Sequence, residues 1–74
     1  MKTITLQIAS VPDKENIVAE IWFGNDQVAE VSNDDSGNTR IEIFSSPTDE
    51  SWSLDFNDFQ EILTKAKNNL KDHY

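Results

Sequence analysis

The chain reads as an α+β domain: an antiparallel four-stranded β-meander, with a fifth strand as a variant, and one C-terminal amphipathic helix packed on one face. Three observations predict this. Apolar residues alternate with polar ones through most of the first 44 positions, the strand period. Polar clusters break that alternation at short intervals, as hairpin loops do. From Leu54 the apolar spacing changes to threes and fours, the helix period. With 74 residues and 36% apolar content, positions 1–74 make one small domain with one modest core.

The first strand is expected over Lys2–Ala9, where Ile4, Leu6 and Ile8 alternate with Thr3, Thr5 and Gln7. Val11 to Asn16 is the break, opened by Pro12, which removes a donor. The second strand, Ile17–Phe23, sets Ile17, Ala19, Ile21 and Phe23 on one side and Val18, Glu20 and Trp22 on the other. Gly24-Asn25-Asp26 then suits a tight hairpin, because these residues tolerate positive φ. The third strand, Gln27–Ser32, opposes Ala29 and Val31 to Val28 and Glu30. A polar loop around Gly37 leads to the fourth, Thr39–Phe44, which opposes Ile41 and Ile43 to Arg40, Glu42 and Phe44.

After the polar loop Ser45–Glu50, Trp52 either starts a short fifth segment or plugs one end of the core. Leu54, Phe56, Phe59, Ile62, Leu63, Ala66 and Leu70 form one stripe on a helix of about four turns. Asp55 or Asn57 caps it, the latter with Gln60 at capping-box spacing. Lys65, Lys67 and Lys71 fall toward its end, where the helix dipole favours cations. The stripe is expected to cover Ile4, Leu6, Ile8, Ile17, Ala19, Ile21, Phe23, Ala29, Val31, Ile41 and Ile43.

One helix covers one side of a sheet, so the other side is expected to be open. It would carry Val18, Glu20, Trp22, Val28, Glu30, Arg40, Glu42 and Phe44. An apolar and aromatic centre with an acidic rim has the anatomy of an interaction surface. The partner-binding residues expected are Val18, Glu20, Trp22, Val28, Glu30, Glu42 and Phe44. A loop folding back over Trp22, or a homodimer closing on the same face, would account for the same pattern.

Charge narrows the partner. Fourteen acids face six bases, a net charge of −8, and Asp13 to Glu61 alone holds thirteen acids against Lys14 and Arg40. Phosphate binding needs a basic footprint, so nucleic acid and anionic membranes are disfavoured as direct partners. A basic protein is favoured, because complementary fields speed encounter. No stretch approaches the roughly 20 apolar residues of a membrane span, and the alternating first residues argue for a strand over a secretory signal. The expected location is the cytoplasm.

Chemistry-bearing motifs are sparse, and the expectation is a protein with no catalytic residues, no metal and no cofactor. There is no cysteine, which excludes disulfides, thiolate metal sites and a thiol nucleophile. The single histidine, His73, reads as a surface residue. Glu20 and Glu30 can lie across neighbouring strands like a glycosidase pair, but an acid-rich chain produces such pairs by chance, and this architecture leaves little room for a deep pocket. Asn33-Asp34-Asp35-Ser36-Gly37 has the look of a calcium loop, yet Ile43 falls where a bidentate glutamate is needed.

The runs Ile17–Phe23, Val28–Val31 and Arg40–Phe44, with Trp52–Leu63 followed by Ala66 and Leu70, resemble the small immunity proteins of bacterial contact-dependent inhibition and related polymorphic toxin systems. The resemblance extends from Ile17 to Leu70. It implies a non-enzymatic inhibitor that binds a cognate toxin domain, commonly a nuclease, and it carries over no contact residue. An anti-defence protein or nucleic-acid mimic, and a structural homo-oligomer using the open sheet face, are the alternative readings.

Overall fold

The structure is a computed structural model that describes residues 2–10 and 17–72. The expected break at Val11–Asn16, and His73, lie outside the described residues. The elements follow the order β1 (Ile4–Ser10), β2 (Ile17–Phe23), β3 (Asp26–Asn33), β4 (Thr39–Ile43) and α1 (Phe56–Asp72). The four strands form one antiparallel sheet in the order β1-β2-β3-β4, and α1 lies across β1, β2 and β3. This is the α+β meander with one C-terminal helix that the periodicities predict. No fifth strand forms among the described residues. Trp52 instead packs against the core and donates its indole N–H to the Phe44 carbonyl at 2.7 Å.

Local chemistry explains the joints. The β2–β3 loop is two residues, Gly24-Asn25, and Gly24 alone of the pair has positive φ, at +63°, the pattern of a type II′ turn. The β3–β4 loop is built on Asp34, whose Oδ1 accepts the amides of Ser36 (3.0 Å) and Asn38 (2.9 Å). That carboxylate is thus occupied by its own turn, with Gly37 at φ +85° completing it. Asp55 is the cap of α1: its Oδ2 accepts the Asp58 amide at 3.0 Å, and its carbonyl accepts the Phe59 amide. The alternative start at Asn57 is one residue inside the helix.

The core gathers Ala19, Ile21, Val28, Ala29 and Val31 from the sheet with Ile62, Ala66 and Leu70 from the helix. Ile4, Leu6, Ile8, Ile17, Phe23, Trp52, Leu54, Phe59 and Leu63 pack around it. Three expectations need correction. Ile41 and Ile43 are not covered by the helix and stand 43% and 64% exposed. A helix about 10 Å wide spans two or three strands spaced about 4.8 Å apart, and here it sits over the first three. Phe56, expected in the apolar stripe, is 76% exposed. Rotation does not account for this, since at about 100° per residue Phe56 lies within about 40° of buried Leu70. It stands in the first turn of the helix, one turn before Phe59, the first helix residue that packs against the core. Val28, expected on the open face, is 1% exposed and belongs to the core.

Val28 moves because of a bulge. Ile21 pairs with Ala29, but the next residue, Trp22, pairs with Gln27. Val28 is the extra residue of β3, and the alternation on either side of it is out of phase.

Candidate functional site: a row of carboxylates on the open sheet face

The pairing registers build the face opposite the helix row by row. Gln7 pairs with Glu20, Glu20 with Glu30, and Glu30 with Glu42. Three glutamates from three adjacent strands therefore stand directly beside one another. Two flanking hydrogen bonds fix the phase of the ladder: Gly24 N–H to the Thr3 carbonyl (3.0 Å) and Phe44 N–H to the Val28 carbonyl (2.8 Å). Amides alternate in direction along a strand, so Glu30 and Glu42 form a hydrogen-bonded pair. Glu20 and Glu30 form a non-hydrogen-bonded one, the type that brings side chains closest. Like charges placed opposite each other destabilise a sheet, so this row opposes the fold that displays it.

On one side of the row stands Trp22, between its pairing partners Thr5 and Gln27. Its ring is half-buried, and its indole N–H reaches Glu20 Oε1 at 3.3 Å, tying the aromatic residue to the first carboxylate. On the other side lie Val18, opposite Ala9, and Arg40, opposite Ser32. Among the described residues the ion pair is Lys2 Nζ to Asp26 Oδ2 at 3.8 Å, remote from the row.

Of the expected contact residues, Glu20, Trp22, Glu30 and Glu42 are thus brought together on one surface. Phe44 is half-buried just past β4, its carbonyl held by Trp52. Val28, 1% exposed, lies in the helix-side core, and Val18, on the outer face opposite Ala9, is only 8% exposed, so neither side chain presents a surface to a partner. Sequence reasoning missed Gln27, which the bulge places beside Trp22. It also missed that Ile41 and Ile43, on the β4 flank, and Phe56, at the start of α1, are exposed. A bulge carries no signature in the residue pattern here, whereas the width of one helix against four strands was a usable clue to the flank.

Among the described residues, open clefts flank α1 on two sides. One, of about 630 Å³, lies between the helix and the start of β1 and includes Lys2, Phe23, Asp58, Glu61 and Lys65. The other, of about 880 Å³, lies between the β3–β4 loop and the helix end and includes Asp34, Asp35, Lys67 and Lys71. Neither includes a residue of the glutamate row. Among the described residues no three His, Cys, Asp or Glu side chains gather as a metal site. No described helix is long and apolar enough to cross a membrane.

The fold and this face define a small antiparallel sheet-and-helix domain with an acidic surface that no described element covers. Comparison of the chain with protein-family models, curated protein sequences and solved structures finds no match.

Proposed function

We propose that this protein is a non-enzymatic acidic inhibitor that binds and neutralises a basic bacterial toxin domain, a nuclease in the favoured case, in the manner of an immunity protein of the cytoplasm. The carrying observation is the Glu20–Glu30–Glu42 row beside Trp22 on the uncovered face. Three aligned carboxylates repel one another in the free protein. A cationic groove relieves that repulsion on binding, so complex formation gains more than the same charges would give if dispersed. A nuclease groove that grips phosphates has the required charge. Trp22 supplies an aromatic anchor at the edge of the row, suited to slowing dissociation. The row also weighs against self-association through this face, which would set glutamates against glutamates.

The test is capture followed by function. The whole chain and a Glu20→Gln/Glu30→Gln/Glu42→Gln variant are immobilised and exposed to native-host lysate, and retained proteins are identified. The captured protein's nuclease activity is then titrated with soluble wild type. The expected result is a basic nuclease held by wild type, lost from the variant, and silenced near one-to-one stoichiometry. Equal retention by the variant, or undiminished activity at excess inhibitor, overturns the proposal.

A further inference from the structure

The flank of the sheet beyond the helix has a chemistry of its own. β4 is an edge strand, and its five residues are all exposed. The Phe44 amide points to β3, where it meets the Val28 carbonyl. By alternation Glu42 and Arg40 point the same way, so the backbone groups of Thr39, Ile41 and Ile43 face the free edge. Native sheets seldom leave such an edge bare beside apolar side chains. Ile41 and Ile43 flank this edge on the helix side, and Phe56 completes the set of exposed large apolar residues among those described.

Thr39-Arg40-Ile41-Glu42-Ile43 is complementary to itself. In an antiparallel pairing of two copies centred on Ile41, the residues facing the free edge would exchange backbone hydrogen bonds: Ile41 with Ile41 of the second copy, and Ile43 with Thr39 of the second copy. Arg40 would then stand directly opposite Glu42 of the second copy, twice by symmetry. These would be non-hydrogen-bonded pairs, with side chains at their closest. Because the sheet would run on from one copy to the next, each Gln7–Glu20–Glu30–Glu42 row would end on an arginine of the other chain. An incoming strand from a basic partner fits less well, since it would meet Arg40 as well as Glu42.

We infer that β4 pairs with β4 of a second copy of this chain, antiparallel about Ile41, giving a two-fold dimer with one continuous eight-stranded sheet. The interface is isologous and closes at two copies through this edge. It leaves Glu20, Glu30 and Trp22 of both copies open on the outer face, whereas Glu42 is engaged by Arg40 of the second copy. Sedimentation of the chain alone tests the dimer whatever the outcome for the partner proposed above. A five-residue edge is a small contact, which makes the dimer a weak, concentration-dependent one.

The experiment is sedimentation of the whole chain from about 5 µM to about 1 mM in roughly 0.15 M salt, where net repulsion between two acidic copies is screened. A reversible monomer–dimer equilibrium is expected. Arg40→Glu and Glu42→Arg each place like charges in contact and should raise the dissociation constant about tenfold or more. An equimolar mixture of the two variants pairs opposite charges at both positions and should recover wild-type affinity. Hydrogen exchange at the Ile41 and Ile43 amides should slow as concentration rises. A monomer throughout, a dimer indifferent to Arg40→Glu, or a mixture that stays monomeric overturns the inference. Circular dichroism of both variants confirms that each is folded.

Discussion

Neutralising Glu30 should make the protein more stable. Glu30 has a glutamate on each side, Glu20 on β2 and Glu42 on β4. Neighbouring strands lie about 4.8 Å apart, and flexible stems let the carboxylates spread to about 6 Å. Two unit charges at that distance repel by about 0.7 kcal/mol in water, and about 0.15 M salt halves this. With two neighbours relieved, Glu30→Gln should stabilise the fold by about 1.4 kcal/mol at low salt and about 0.7 kcal/mol at about 0.15 M. In a domain of this size that is a rise in Tm of about 3–6 °C at moderate salt and more at low salt. Glu42→Gln, with one glutamate neighbour, should give about half as much. The assay is thermal unfolding by circular dichroism across a salt series, with wild type alongside. An unchanged or lowered Tm for Glu30→Gln, or a gain that does not shrink with salt, would refute the claim that these charges strain the sheet.

Four further substitutions probe the joints of the fold. Asp55→Ala removes the carboxylate that accepts the Asp58 amide and should cost about 1 kcal/mol in urea unfolding, whereas Asn57→Ala should stay within about 0.5 kcal/mol of wild type. Trp52→Phe leaves the Phe44 carbonyl without its indole donor and should lower stability by about 1–2 kcal/mol, read as a lower urea midpoint at unchanged slope. Gly24→Ala forces a side chain into φ +63° with its Cβ 3.2 Å from Lys2 Cγ, and should cost about 1 kcal/mol or more by the same measurement.

Most of the architecture was legible because two periods carry it. Ile4, Leu6 and Ile8, then Ile17, Ala19, Ile21 and Phe23, keep strict alternation, and all are buried or packed against the core. Ile62, Ala66 and Leu70 keep helical spacing and are its buried anchors. The order of strands follows from short loops, which force neighbours in sequence to be neighbours in space. The open face was legible only in part: the Glu20–Glu30 adjacency and the exposure of Glu42 follow from pairing strands of like phase, whereas Val18 and Val28 are buried and Gln27 takes a place beside Trp22. What escaped was lateral position and phase. Periodicity says which side of β4 is apolar, but it cannot say that the helix stops short of it, so Ile41 and Ile43 were assigned to a core they do not reach. Nor does alternation announce its own interruption, and Val28 was placed on the wrong side for that reason. Phe56 fits a spacing of three from Phe59, yet the first turn of a helix can carry its side chain clear of the sheet below.

The displaced valine has a further effect on the electrostatics around it. Mutual repulsion would favour sliding β3 along β2 until Glu20 and Glu30 parted company. A strand whose two halves run in opposite phase cannot slide by one residue without turning its apolar members to water on one side or the other. The kink at Val28 thus acts as a detent, holding the acidic residues in line against a force they themselves generate.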